Sequence, residues 1–122
     1  MQSEDGFAIG RLGSDAFIVA ARGELDVATA AGLQTALETA RGRGARRLIA
    51  DLAAVTFLDS AALGVIVTSA RKLRMNGGEL VIVTDDPRIV RVFELTGLDN
   101  VVRVERSLVE AVNELVGRPT PA

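Results

Sequence analysis

Val55-Thr56-Phe57-Leu58-Asp59-Ser60-Ala61-Ala62-Leu63-Gly64-Val65-Ile66 is the stretch in which an extended apolar run turns into a helical one. Residues 48–50, followed by Val55, Phe57 and Leu58, read as a strand and its exit. Beyond them Leu63, Ile66, Val67, Ala70 and Leu73 recur at helical spacing. An acid and a hydroxyl, Asp59 and Ser60, therefore stand side by side at or next to a helix N-cap. Local chemistry allows two readings of Ser60. It caps the helix by accepting a bond from an orphan backbone N–H, with Asp59 favoured by the positive end of the dipole. Alternatively, the same amides accommodate a phosphate, and Ser60 is a phosphoacceptor on an exposed helix start.

Working outward, residues 8–12 and 16–22 read as a hairpin around the turn Gly13-Ser14-Asp15. Ala30, Leu33, Ala36, Leu37 and Ala40 give a first amphipathic helix over about 27–41, stopped at Gly42 and Gly44. A buried strand over 47–52, the helix 60–75 closed by Asn76-Gly77-Gly78, and a strand over 79–84 follow. Asp86-Pro87 opens a third helix, since Pro at the first helical position loses no bond, and Gly97 ends it. A short strand over 101–104 and a helix capped by Ser107 and running to 116 complete the order. Strand, helix, strand in succession requires parallel crossovers. The expected fold is a single α/β domain. It has a mixed, mostly parallel central sheet, an opening hairpin and about four helices, mostly on one face. Residues 1–6 are expected as an N-terminal extension, 7–116 as the domain and 117–122 as a flexible tail.

Composition narrows the function. A chain of 122 residues, 48% hydrophobic, can bury one adequate core. With no Cys and no His, disulfides, thiolate chemistry and a zinc site have no ligands to use, and no cofactor is expected. A net charge of −2 and four Phe, with no Tyr or Trp, provide neither the charge nor the stacking surface of a nucleic-acid binder. The acidic start Met1-Gln2-Ser3-Glu4-Asp5 is unlike a signal peptide, and no apolar run approaches the roughly 20 residues that cross a bilayer. A cytoplasmic protein without membrane partners is expected.

Other chemistry has weaker support. Ser60 has no His base and no Gly-x-Ser-x-Gly surround, so it is not read as a hydrolase nucleophile. Glu24 and Asp26 as an acid–base pair compete with the plain reading of solvated turn acids. The basic run Arg41-Gly42-Arg43-Gly44-Ala45-Arg46-Arg47 reads as a solvated loop without a phosphate-binding ending, and Asn76-Gly77-Gly78 as a helix stop. No enzymatic activity is expected.

Three motifs in order, the Gly23-Glu24-Leu25-Asp26 turn, the Asp59-Ser60 junction with Leu63-Gly64-Val65-Ile66, and Thr96-Gly97-Leu98 at the end of the third helix, resemble the STAS domain. More narrowly, the chain resembles bacterial anti-sigma-factor antagonists of sporulation and stress response, over about residues 7–116. The resemblance implies partner switching: the unphosphorylated antagonist binds an anti-sigma factor that is itself a serine kinase, and a sigma factor is released. The kinase phosphorylates the antagonist serine, here Ser60, and the complex separates until a metal-dependent serine phosphatase resets it. Asp26, Asp59, Ala61, Ala62, Leu63 and Gly64 carry over as the partner-facing surface around Ser60, with the third helix bordering it. Two positions depart from the family motif. Ala61 replaces the usual Ser or Thr, leaving Ser60 the one hydroxyl of the motif, and Ala62 adds a methyl where Gly is usual. The alternative implied by the resemblance is a structural STAS subunit of a signalling assembly or transport system, which the free-standing length disfavours. Each helix has one apolar stripe and none left over, so a monomer or weak dimer is expected.

Overall fold

The computed structural model describes residues 2–4 and 6–116. Strands β1 (Gln2–Glu4), β2 (Phe7–Arg11), β3 (Ala16–Leu25), β4 (Arg47–Leu58), β5 (Glu79–Val83) and β6 (Arg103–Glu105) form one sheet in the order β1-β2-β3-β4-β5-β6. The first two pairings are antiparallel and the remaining three parallel. Helices α1 (Ala30–Gly42), α2 (Ser60–Met75) and α3 (Pro87–Leu95) are the crossovers between the parallel strands. Each new strand is added on the same side by a crossover of one hand, which brings these helices to one face. The final helix α4 (Leu108–Val116) covers the other.

The alternation of the strands supplies both cores. Phe17, Val19, Leu48, Ala50, Leu80 and Ile82 pack with Leu33, Leu37, Ile66, Leu73 and Phe93 of the three crossover helices. Their neighbours Ile18, Ile49, Val81 and Val83 meet Ala111 and Leu115 of α4. Burial on both faces explains why the central strands read as unbroken apolar runs.

Several boundaries differ from the sequence reading. Strand β1 lies in the stretch read as an extension, where three polar residues offer no apolar pattern. Strand β3 continues to Leu25 and β4 to Leu58, so Gly23-Glu24-Leu25 is strand rather than turn; only Asp26 leaves the sheet. Pairing survives there through two register shifts, one of them after Gly23, whose φ of 77° is open to glycine. Helix α1 begins at Ala30 because a separate turn occupies residues 26–29, and β6 begins two residues later than expected, after the 3-10 turn Leu98–Asn100. Ser107 does cap α4, accepting from Glu110 N–H at 3.1 Å. The expected tail, 117–122, lies outside the described residues.

The basic run is not wholly a solvated loop. Arg47 is buried: its guanidinium donates to Leu115 O at 2.7 Å, closing the end of α4, and lies 4.0 Å from Asp15 Oδ2. The Asn76-Gly77-Gly78 segment is the helix stop expected of it, with Gly78 N–H donating to Leu73 O at 2.8 Å.

Candidate partner-facing site at the strand exits

Strands β3 and β4 lie in parallel register with Leu25 opposite Leu58, so the residues that follow them, Asp26 and Asp59, leave the sheet side by side. A backbone bond ties the two exits, Asp59 N–H donating to Leu25 O at 3.0 Å. Asp59 has extended backbone angles (φ −104°, ψ −177°) and its Oδ1 accepts from Ala62 N–H at 3.1 Å. Asp59 is therefore the N-cap, and the capping reading of Ser60 is corrected. Ser60 is the first residue of the 16-residue helix α2 and is exposed. A carboxylate suits this place because it satisfies an orphan amide and faces the positive end of the dipole.

Asp26 builds the neighbouring turn. Its Oδ1 accepts from Ala28 N–H at 2.9 Å and Thr29 N–H at 3.2 Å, while its own N–H donates to Thr29 Oγ1 at 2.9 Å. The Thr29 hydroxyl lies 3.1 Å from Glu24 O, closing the turn against the end of β3. Asp26 is half-buried and engaged with its own turn, whereas Glu24 is exposed and makes no pair with it.

The other motif residues divide by helix face. Ala62 is fully buried, so its methyl belongs to the core and offers no surface to a partner. The methyl that distinguishes Ala62 from the usual Gly of the family motif thus points into the core. Leu63 is half-buried against the core, Ala61 is half-buried and Gly64 is exposed. Ala61 and Gly64, with Gln34 and Thr68, line a groove of about 330 Å³ between α1 and α2 that opens beside the serine. A larger cavity of about 510 Å³ lies away from it, between α2, α3 and β6, with Ala70, Phe93 and Val102 among its lining residues. Arg88, Arg91 and Glu94 of α3 are exposed, and Asp86 Oδ1 caps that helix by accepting from Arg88 N–H at 2.9 Å. The described residues contain no acidic cluster able to hold a metal ion.

Two residues beside the site were not singled out from sequence: Val27, 80% exposed, and Phe57, 48% exposed. The signal for Phe57 was present, because Phe57 and Leu58 are adjacent in a strand and cannot both face the same core. Val27 was absorbed into the start of α1.

The STAS domain model matches residues 11–111. An anti-sigma-B factor antagonist of Staphylococcus aureus is 39% identical over 82 residues, covering 67% of this chain and 76% of that protein. Among solved structures, a putative anti-sigma factor antagonist from Thermotoga maritima superposes with a TM-score of 0.82 at 26% identity, covering 90% of this chain and 94% of that one. An anti-sigma factor antagonist from Mycobacterium paratuberculosis gives 0.78 at 27%, covering 94% and 99%. The chain belongs to the STAS domain family, on its anti-sigma-factor-antagonist branch. That branch is regulatory rather than enzymatic. No helix of the described residues is long and apolar enough to cross a membrane.

Proposed function

We propose that this domain is an anti-sigma-factor antagonist whose binding is switched at Ser60. With Ser60 unmodified it binds an anti-sigma factor that is also a serine kinase, and a sigma factor is released. One observation supports the choice of residue: Ser60 is exposed at the start of α2 while Asp59 does the capping, so the hydroxyl has no structural duty at a helix end that favours a phosphate.

The chemistry is phosphoryl transfer. Ser60 Oγ attacks the γ-phosphorus of ATP held by the partner, the bond to the β-phosphate oxygen breaks, ADP leaves, and the hydroxyl proton passes to a base of the partner. The product carries about −1.5 to −2 charges next to Asp59, and a partner surface shaped for a neutral hydroxyl meets an unmatched, hydrated anion. A hundredfold loss of affinity requires about 2.8 kcal/mol, within what burying such a charge costs. The first amides of α2 and its dipole stabilise the phosphate in the free domain, so the fold survives modification. A metal-dependent serine phosphatase restores the hydroxyl by hydrolysis.

The test is incubation with the anti-sigma kinases of the same organism and ATP, with mass-spectrometric mapping of the phosphate. Incorporation at Ser60, abolished in Ser60→Ala, is expected; label that persists in Ser60→Ala or maps to Thr68 or Ser69 overturns the assignment. In calorimetric titrations Ser60→Ala should bind like the unmodified domain, and Ser60→Asp more weakly.

A further inference from the structure

Six large apolar side chains stand exposed among the described residues: Val27, Phe57, Met75, Leu95, Leu108 and Val109. Single exposed residues of this kind are ordinary, so their position relative to Ser60 decides which of them bear on the site. Met75 and Leu95 lie at the C-termini of α2 and α3, which run back to where the next strand starts, and so stand at the opposite end of the sheet from Ser60. Leu108 and Val109 begin α4, which covers the face of the sheet opposite α2. Val27 and Phe57, by contrast, sit at the paired exits of β3 and β4, Phe57 on the segment that leads into Asp59-Ser60 and Val27 on the neighbouring one. Phe57 is opposite Glu24 in the β3–β4 register, one step before Leu25 and Leu58, and Val27 follows Asp26 directly.

The strand carrying Phe57 also lacks, among the described residues, a pairing strand on one side beyond Asp51, where Ala53 N–H donates to Asp51 Oδ1 at 3.0 Å. Strand β5 accompanies β4 only to the Asp51–Val83 pair, so the uncharged run Leu52-Ala53-Ala54-Val55-Thr56-Phe57-Leu58 has no strand along that edge among the described residues. Ala53, Ala54, Thr56 and Phe57 are exposed within it. An uncharged, partly apolar edge is a surface that soluble proteins normally blunt or cover. The nearby charges are mostly acidic, from Glu24, Asp26 and Asp59.

The geometry points to Val27 and Phe57, at the two neighbouring strand exits beside Ser60, as the apolar anchors by which the anti-sigma partner is held, with the partner offering an apolar surface rimmed by basic side chains. This rests on the antagonist reading above and adds to it a division of labour. The anchors set the affinity and the serine sets the switch. A hydrated phosphate placed beside the anchors opposes the water removal on which both depend.

The test is calorimetric titration of the full chain against the anti-sigma factor of the same organism, comparing wild type with Val27→Ser, Phe57→Ser, Met75→Ser and Leu95→Ser. Each anchor substitution should weaken binding about tenfold or more, as truncated central contacts do, and the far-end substitutions less than twofold. Val27→Ser, at a site 80% exposed, keeps the test valid should Phe57→Ser disturb the sheet. If wild type binds and releases on phosphorylation while both anchor variants bind as wild type does, the anchors are wrong and the antagonist reading stands. If the far-end variants lose as much as the anchor variants, the anchors are likewise wrong. If neither wild type nor Ser60→Ala binds any anti-sigma factor, both fall together.

Discussion

Where the parallel strands start, segments remote in sequence are bonded to one another; where they end, each segment is bonded mainly to itself. At the starting end Arg46 N–H and Arg47 N–H both donate to Asp15 O, Glu79 N–H donates to Arg46 O at 2.8 Å, and the Arg46 guanidinium reaches Asn76 O at 2.8 Å. At the other end an aspartate follows each of β3, β4 and β5, and its carboxylate accepts a backbone N–H two or three residues on: Asp26 from Ala28, Asp59 from Ala62, Asp86 from Arg88. The Asp59 to Leu25 bond and the bond from Thr84 N–H to Glu105 O are the cross-links there. Self-capped loops satisfy their own amides and leave outward side chains available. The exit end can thus vary while the opposite end holds the fold.

The sharpest way to break this contrast is at Gly78. A Cβ built there lies 1.9 Å from Arg46 O, a backbone atom that cannot turn aside. Gly78→Ala must push β4 and the start of β5 apart, and overpacking of this kind is expected to cost about 3 kcal/mol. Thermal unfolding should show it as a fall of roughly 10 °C. Partner binding measured well below that transition should stay near wild type. A Tm within 2 °C of wild type would mean the starting end is not the rigid one.

The same contrast explains what the sequence disclosed. Elements with one strong signal were legible: the apolar runs of β4 and β5, the Pro87 start of α3, the Ser107 cap and the Asn76-Gly77-Gly78 stop all depend on residues close together in the chain. The extension of β3 and β4 to Leu25 and Leu58 was not, because Gly23 and the run of exposed residues beside it look like a turn until a neighbouring strand supplies the bonds. Arg47 looked solvated for the same reason, since its acceptor, Leu115 O, is 68 residues away. At the site, the Asp59-Ser60 junction was visible as chemistry, but which of the two caps depends on a backbone angle. Ala62 as a core residue was implicit in its helical phase with Ile66 and Ser69, all three buried.

A smaller effect tests the exit end itself. Because the Asp59 carboxylate is the cap, Asp59→Ala should lose about 1 kcal/mol of stability, and Asp59→Ser should keep most of it. Ser60→Ala should change stability by no more than about 0.5 kcal/mol. Denaturant unfolding of the three variants measures this directly. Equal losses at Asp59 and Ser60 would show that the serine shares the structural work and would weaken its assignment as a free acceptor.

The smallest expected effect distinguishes a long-range from a local charge pair by pH. Glu38 accepts from Arg41 at 3.0 Å and from Lys72 at 3.1 Å, and these bonds hold its carboxyl below the ordinary value of 4.5. Asp86 is likewise held low, by the Arg88 guanidinium. The Asp86–Arg88 pair spans two residues and can persist in the unfolded chain, whereas Glu38 and Lys72 are 34 residues apart and separate on unfolding. The Glu38–Lys72 bond is therefore the long-range part of this coupling, whereas Glu38–Arg41 and Asp86–Arg88 are local pairs and the Asp86 carboxylate couples to folding chiefly through its helix cap. A folded pKa lower than the unfolded one gives stability that is present above about pH 4.5 and disappears as pH falls through the folded value. The group is more than a third exposed on its side chain, so solvent screening leaves only a few tenths of a kcal/mol. Wild type should melt slightly above Glu38→Gln at pH 7, and the two should converge as pH falls below the folded value of Glu38. A Glu38→Gln difference that stays constant from pH 7 to pH 3 would mean that the pair between α1 and α2 contributes through packing, not charge.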